Sequence, residues 1–286
     1  MSHQMRVILR SLADDMALAA SPAFVSSLPV GNLQTQQRAE VARSADTSNQ
    51  AITGDLTAAR LLGADGFALI GRFSEDATVR VRLYAEAAQG GDVVYDSGPI
   101  SVLVPIPWGE FAWGEEAWGG VRSFQNGAEP FFFRFFDDAD DVFASYLSWQ
   151  IDISDATNPD GYHQFRRLVW GRGVSPTINV DWGYQWELVD ESKMFRDEAG
   201  GLHTETRAKY RRIRATLSHM TQSERVQWAD GLRYCGKSRD VFAVLKPYES
   251  GGERMDLAFL ARFTKLPNFK QSRPNQYAAG FVLEET

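Results

Sequence analysis

Two segments in which apolar and polar residues strictly alternate constrain the fold of this chain most. In Thr78–Tyr84 every second residue is aliphatic, and in residues 147–153 Leu, Trp and two Ile alternate with Ser, Gln and Asp. A period of two places one face of each strand on a core and the other face in water. Because these strands flank a long stretch rich in loop signals, they predict a β-sandwich that presents loops.

The rest of the first half alternates strand and turn signals at short intervals. Apolar runs at residues 67–70 and 100–106 follow turn-forming stretches at 63–65 and 96–99, and Pro29, Gly31 and Asn32 mark earlier turns. No helix longer than a turn or two is expected there. This spacing is typical of a sandwich or barrel. We therefore predict a β-sandwich domain over residues 1–178.

The second half has a different character. Thr221 and Glu224 have the spacing of a capping box, and apolar residues recur at helical intervals after them up to Gly236. Strands are predicted at residues 181–188, 209–217, 241–245, 257–263 and 277–283. The sequence thus predicts a mainly β chain whose sandwich is followed by a smaller α+β domain over residues 179–286.

Composition narrows the class of protein. The 286 residues are 44% hydrophobic and 23% charged, which is typical of a water-soluble globular chain. No apolar run reaches the roughly 20 residues that span a bilayer. Asp14 and Asp15 fall where the apolar part of a signal peptide would lie. We therefore expect synthesis in a cytoplasm and no membrane insertion.

Charge argues against nucleic acid as a partner. The formal net charge is −7, which disfavours binding to a phosphate backbone. One local run is basic despite the net negative charge of the chain. It consists of Arg207, Lys209, Arg211, Arg212 and Arg214. Its near-alternation with apolar residues predicts the solvent face of a strand, and no nucleic-acid partner is expected.

Residues that could support catalysis or a cofactor form no recognisable motif. The single cysteine, Cys235, rules out an internal disulfide, and we expect it to be a buried residue of the helix. The four histidines are scattered without metal-ligand spacing. Phosphate-loop, dinucleotide-binding and Gly-x-Ser-x-Gly patterns are absent. We expect neither a cofactor nor enzymatic activity.

A loop rich in tryptophan is the main candidate binding site. Three tryptophans stand five residues apart, a spacing that fits neither a helix nor a strand, among glycines and acids. The candidate ligand- or partner-binding residues are Trp108, Trp113, Trp118, Glu110, Glu115 and Glu116. The indoles could pack on their own domain, anchor a protein interface, or stack on sugar rings whose hydroxyls bond the acids. A glycosidase would need two of these acids facing one another, and nothing in the sequence places them so.

Two acidic stretches are weak candidates for calcium. One is the run at residues 137–141, which lacks the ligand pattern of an EF-hand. The other is the turn that contains Asp155, Asn158 and Asp160. In both, a solvated loop or a turn whose side chains bond their own backbone is the favoured interpretation. No metal site is therefore predicted.

A family resemblance rests on the order of several short segments. In the first half these are residues 28–33, 52–56, 65–70, 77–83 and 151–161, followed by Leu-Val-Trp-Gly at 168–171. Over roughly residues 20–175 this order resembles galactose-binding-like (discoidin-like) jelly-roll modules. With the trailing unit, at residues 210–214, 241–247 and 281–285, the chain resembles tailed-bacteriophage virion proteins of the distal tail or baseplate.

The resemblance implies a structural role in a virion. Such proteins assemble with copies of themselves and with other tail proteins as rings or adaptors, without catalytic turnover, while the jelly roll decorates or binds. The alternative is a lectin-like module that recognises a surface polysaccharide through the loop at Trp108–Trp118. The two roles are compatible, so a host surface glycan is a further candidate partner.

Overall fold

The computed structural model describes residues 4–56, 64–103, 131–136, 146–247 and 256–286. Over these ranges the chain is mainly β, which confirms the predicted fold class. The strands up to residue 174 are β1 (Arg6–Ile8), β2 (Ala17–Ser21), β3 (Ala42–Arg43), β4 (Gln50–Asp55), β5 (Gly66–Arg72), β6 (Thr78–Tyr84), β7 (Val93–Asp96), β8 (Ile100–Ser101), β9 (Phe131–Phe135), β10 (Ser148–Ser154), β11 (Gln164–Gly171) and β12 (Gly173–Val174).

The later elements contain the α-helix of the described part. They are β13 (Gln185–Val189), β14 (Lys193–Arg196), β15 (Leu202–Glu205), β16 (Tyr210–Thr221), α1 (Gln222–Cys235), β17 (Val241–Val244), β18 (Ala258–Lys265), β19 (Lys270–Arg273) and β20 (Gln276–Glu285). Short 3-10 helices occur at Ala13–Asp15, Val30–Gln34 and Ala87–Gln89. No helix in the described ranges has both the length and the apolar character that crossing a membrane requires.

The described strands form antiparallel sheets that pack in layers. An outer sheet has the order β2-β4-β10-β6-β7 with β8 on β6, and a middle sheet has the order β3-β11-β5-β9. A large sheet has the order β12-β1-β17-β18-β20-β16-β13 with β19 on β20, and β14 pairs only with β15. The middle sheet lies between the outer and large sheets, since buried clusters join it to both.

The outer and middle sheets form the predicted jelly-roll sandwich. Strands from β4 to β6 and from β9 to β11 alternate between the two sheets along the chain. Their shared core contains Trp149 of β10 stacked on Trp170 of β11, with ring centroids 4.4 Å apart and planes at 12°. The alternating strands β6 and β10 face this core with their apolar residues, as their period predicts.

The middle sheet is buried on both faces. Phe132 of β9 contacts the sandwich core, whereas Phe131 and Phe133 contact Phe242 of the large sheet at centroid distances of 5.8 and 5.5 Å. A strand covered on both sides reads as a continuous apolar run rather than an alternation. This explains the Phe-rich run of β9 and the apolar runs within β5 and β11.

Helix α1 packs on the opposite face of the large sheet. Its Trp228 contacts Phe281 of β20, with ring centroids 5.7 Å apart, and Cys235 is fully buried as predicted. The capping box is confirmed, because the Thr221 side chain accepts from the Glu224 backbone while the Glu224 carboxylate accepts from Thr221. Burial raises the pKa of Glu224, but hydrogen bonds from Thr221 and Thr177 outweigh it, so the net pKa is lowered.

Loss of the cap should weaken the helix measurably. We expect Thr221→Ala to lower the free energy of unfolding by about 1 kcal/mol, because the first turn of α1 loses a side-chain acceptor. Chemical denaturation of the purified protein measures this. Gln222→Ala, at the next position, changes no cap contact and is expected to stay within about 0.5 kcal/mol of wild type. Equal effects of the two substitutions would contradict the role of the cap.

The strands cross the predicted domain boundary. That residues 1–178 and residues 179–286 fold as independent units remains a prediction. Strands β1 and β12 come from the first range, yet β1 pairs with both β12 and β17 in the large sheet. The first range therefore supplies part of the sheet assigned to the second. Hydrogen bonding between strands distant in sequence decides this, and local patterns do not reveal it.

Candidate functional site

Exposed apolar side chains concentrate in one segment of the chain. Among the described residues, nine large hydrophobic side chains are exposed, and seven of them lie between residues 178 and 202. The seven are Ile178, Trp182, Trp186, Leu188, Met194, Phe195 and Leu202. Scattered exposed apolar residues are ordinary, but a local concentration marks a surface that another molecule covers. This segment is therefore the candidate functional site.

Its central element is a β-hairpin, residues 190–209, which we call the arm. Strands β14 and β15 pair only with each other among the described strands. Every residue of both strands is exposed. An isolated two-stranded hairpin is marginally stable in water at best. The arm thus has the composition and exposure of an element that gains stability when something packs on it.

Polar contacts anchor the base of the arm to β16. The Tyr210 hydroxyl donates to Glu191 Oε1 at 2.8 Å, and the Arg207 backbone N–H donates to Ser192 Oγ at 2.9 Å. Lys209 pairs with Asp190 at 3.6 Å, which joins the two ends of the arm. Hydrogen bonds from Ser192 lower the pKa of Asp190. The arm therefore leaves the large sheet in a defined direction.

The tip of the arm is fixed by a network centred on Asp197. Its backbone N–H donates to the Gly201 carbonyl at 3.0 Å, and its Oδ1 accepts from the Gly201 N–H at 2.6 Å. Gly200 has a φ of +84°, a left-handed conformation that glycine adopts without strain. His203 Nε2 lies 2.7 Å from Asp197 Oδ2, and this bond, together with those from the backbone, lowers the pKa of Asp197.

Both faces of the arm carry apolar groups. Paired residues of an antiparallel hairpin share a face. Met194 pairs with Thr204, and Leu202 with Arg196, so Met194 and Leu202 lie on the same face. Phe195 lies on the opposite face, where it stacks on its partner His203 with ring centroids 5.5 Å apart. A partner that buried both apolar faces would have to enclose the arm.

The strand before the arm is an edge of the large sheet. β13 pairs with β16 on one side and has no strand on its other side among the described residues. Trp186 stands opposite Ile213, which places it on the α1 face, and its Nε1 donates to the Asp256 carbonyl at 3.2 Å. An uncovered strand edge presents backbone donors and acceptors for a further strand. Edge and arm are consecutive in the chain.

Neighbouring acids neutralise the basic run, which lies in β16 and in the residues just before it. The ion pairs are Arg207–Glu205, Lys209–Asp190, Arg211–Glu285, Arg212 with Glu187 and Glu284, and Arg214–Glu187. The prediction that all five face solvent is wrong for Arg211. That side chain is buried, with its guanidinium 5.0 Å from the Phe259 ring centroid. Its bidentate pair with Glu285 makes this burial tolerable.

The predicted tryptophan site cannot be placed in this geometry. Its residues, Trp108, Trp113, Trp118, Glu110, Glu115 and Glu116, lie outside the described residues, as does the acidic run at 137–141. The three roles considered for its indoles, packing on their own domain, anchoring a protein interface and stacking on sugar rings beside the acids, remain predictions.

The turn proposed as a weak calcium candidate is held by protein donors. Asp155 is buried and accepts hydrogen bonds from the Ser74 backbone at 3.0 Å and from Asn158 Nδ2 at 2.9 Å. Asn158 Oδ1 accepts from the Asp160 N–H, and the Asp160 carboxylate pairs with Arg72 at 3.1 Å. The bonds among Asp155, Asn158 and Asp160 are contacts within the turn, and those with Ser74 and Arg72 join the turn to the end of β5 and the loop after it. Within the part that the structure describes, no group of three or more His, Cys, Asp or Glu residues is placed to hold a metal ion.

Sequence reasoning missed the arm. No element is predicted from the sequence for residues 189–208, although Gly200 and Gly201 follow Asp197 between two short runs that contain Phe195 and Leu202. A glycine-rich turn between short apolar-containing runs is a hairpin signal. The alternation in these runs is only three or four residues long, which is why the signal was weak.

Comparisons with known proteins give no family. No protein-family profile and no curated protein sequence matches the chain. Among solved structures, chitosan-binding module 1 from a chitosanase/glucanase of Paenibacillus sp. IK-5 is 10% identical, with a TM-score of 0.33 over 56% of this chain and 98% of the module. The N-terminal domain of the single-strand break repair protein XRCC1 is 13% identical, with a TM-score of 0.30 over 59% of this chain and 99% of that domain. Similarities this low support no conclusion about function.

Proposed function

We propose that this protein is a non-enzymatic structural component that assembles with copies of itself and with neighbouring proteins, as in a bacteriophage tail or baseplate. The observation that carries the proposal is the exposed arm with apolar residues on both faces. The tail or baseplate setting, and a virion location after synthesis in the host cytoplasm, come from the sequence resemblance alone.

The arm has the features that an assembly contact needs. Its base and tip are fixed by hydrogen bonds, so little order must be gained on binding. Two of its four cations, Arg207 and Lys209, already pair with acids of the arm, and Met194, Phe195 and Leu202 are the groups that gain most from burial. At protein interfaces a few buried side chains carry most of the free energy of binding.

The open edge of β13 provides a second contact beside the arm. A strand from a neighbouring molecule could pair with it and bury Trp186 and Leu188 further. Addition of a strand other than β13 joins unlike surfaces of two copies, and this is the geometry that closes into rings when the rotation permits. The arm and the open edge of β13 together would therefore hold neighbouring subunits side by side around a ring.

Removal of the arm's apolar groups should abolish self-assembly. We expect wild-type protein to show a mass by light scattering that is a multiple of the 32.0 kDa chain. The triple variant Met194→Ser, Phe195→Ser, Leu202→Ser should fall to the mass of one chain. Its thermal midpoint should change little, because these side chains are exposed.

The matched control uses exposed apolar residues outside the arm. Val93→Ser and Val226→Ser remove exposed side chains from β7 and α1, and this variant should keep the wild-type mass. A wild-type protein that stays monomeric across the accessible concentrations would contradict self-assembly. An arm variant that retains the full mass would instead contradict the role of the arm.

The lectin-like alternative stays a prediction. It rests on the loop at Trp108–Trp118, which lies outside the described residues. The variant Trp108→Ala, Trp113→Ala, Trp118→Ala belongs in the same light-scattering series. A drop in mass with retained folding assigns the loop to an interface, whereas an unchanged mass with lost sugar binding assigns it to a glycan.

A further inference from the structure

A cavity of about 460 Å³ opens beside the loop that precedes β13. We call residues 179–184 the Trp182 loop. Asp181, Trp182 and Tyr184 of this loop line the cavity together with Arg214 of β16 and Lys265 of β18. Its volume falls in the range of small-ligand sites, about 300–1,000 Å³. The cavity does not include the residues of the arm.

The Trp182 loop is held in place before any ligand arrives. The Asp181 backbone N–H donates to the Thr216 carbonyl at 2.9 Å, and the Ser218 hydroxyl donates to the Asp181 carboxylate. Val180 and Tyr184 pack against the core between the large sheet and α1. A site built on an anchored loop loses little conformational entropy on binding. The cavity wall is therefore preorganised.

Trp182 stands out from this anchored loop completely exposed, with a relative accessibility of 103%. Gly183 follows it with a φ of +89°, so the backbone turns directly after the indole. A flat indole offers an apolar face and a polar N–H, which suits ligands that are apolar on one face and polar at the rim. A pyranose ring has this character, since its C–H groups lie on a face and its hydroxyls at the edge.

The charges of the cavity oppose those of the whole molecule. Arg214 and Lys265 contribute two cations against the single carboxylate of Asp181, whereas the chain carries a net charge of −7. Arg214 donates one hydrogen bond, to Glu187 at 3.0 Å, out of its five N–H donors. Lys265 has no hydrogen-bond or ion-pair partner among the described residues. Lys265 is thus free to contact an anion, and Arg214, whose charge Glu187 already offsets, has unused N–H donors for the same anion.

We propose that this cavity binds an acidic saccharide. A sugar ring packs on the indole of Trp182, its carboxylate contacts Arg214 and Lys265, and a hydroxyl donates to Asp181. The proposal is independent of assembly through the arm and of the loop at Trp108–Trp118.

Calorimetric titration with a panel of oligosaccharides tests it. The panel contains hexuronate and sialic acid oligosaccharides, neutral oligosaccharides of matched size, and poly-glutamate. We expect acidic members to bind about tenfold more tightly than neutral ones, and to weaken as salt is added. Trp182→Ala should weaken binding by at least about tenfold.

Two further variants separate the cavity from its surroundings. Gly280→Val places a side chain in the cavity wall, where the new Cβ meets Thr216 Oγ1 at an ordinary 3.6 Å, so binding should weaken while the fold is kept. Trp186→Ala removes a nearby indole outside the cavity and should leave affinity within about twofold. Light scattering on the same samples reports assembly separately.

Several outcomes would overturn the proposal. These are the absence of binding to every saccharide of the panel, and unchanged affinity in Trp182→Ala. Equal affinity for neutral and acidic members would remove the role of Arg214 and Lys265. Binding of poly-glutamate as tight as that of the acidic sugars would assign the cavity to an acidic peptide instead.

Discussion

Replacing Asp14 by alanine is expected to lower the free energy of unfolding by about 3–5 kcal/mol, because it leaves a buried guanidinium without its counter-ion. Arg167 of β11 is 1% exposed. Its Nη1 lies 2.6 Å from Asp14 Oδ1, and its Nη2 donates to Asp14 Oδ2 at 2.9 Å. An arginine cannot lose its proton to escape this cost. Chemical denaturation with matched m-values measures the change.

The neighbouring acid is the control for this substitution. Asp15 pairs with Arg10 at 3.7 Å where both side chains are more than a third exposed, so Asp15→Ala should cost no more than about 1 kcal/mol. The double variant Asp14→Leu, Arg167→Met removes both charges and should recover much of the loss. If Asp14→Ala and Asp15→Ala destabilise the protein equally, the buried pair does not contribute as described.

Replacing Trp170 by alanine is expected to cost a similar amount, about 3–5 kcal/mol, through the cavity it leaves. Trp170 lies at the centre of the sandwich, where it stacks on Trp149 and on Phe67, whose centroid is 5.2 Å away. Its Nε1 also donates to the Tyr146 hydroxyl at 3.1 Å. The hole could not collapse easily, because the surrounding rings belong to two different sheets.

The same substitution at an exposed site controls for the loss of an indole. Trp182→Ala removes a side chain that contacts solvent on all sides, and its stability should stay within about 0.5 kcal/mol of wild type. Trp170→Phe keeps an aromatic ring in the core and should fall between the two alanine variants. A Trp170→Ala protein as stable as Trp182→Ala would contradict the packing of this core.

Local patterns predicted several elements of this protein. The alternation in β6 and β10 and the capping box of α1 concern neighbours in sequence, so each could be recognised from a short window. The buried helical position of Cys235 followed from its place in the helical pattern. The mainly β class followed from the same signals, since strands and turns recur at short intervals.

Local patterns could not predict how these elements combine. The placement of β1 beside β17 depends on hydrogen bonds between residues more than 200 positions apart, and no window contains both. Arg211 has the charge of a solvent-facing residue but alternates in step with the buried Ile213, and the distant Glu285 allows it to be buried. The sequence did not predict the arm or the Trp182 loop as candidate sites for a related reason. The exposure of Trp182 and Phe195 is a property of the folded surface and not of their local sequence.

The sequence by itself therefore determined the alternating strands β6 and β10, the helix with its cap, and the sandwich class, because backbone conformation and the period of apolar residues are short-range properties. Only the tertiary structure decided that the middle sheet is buried on both faces, that the first strand completes the last sheet, and that the arm and the Trp182 loop remain uncovered. Burial and strand pairing depend on which distant segments meet, and that is settled by the packing of the whole chain.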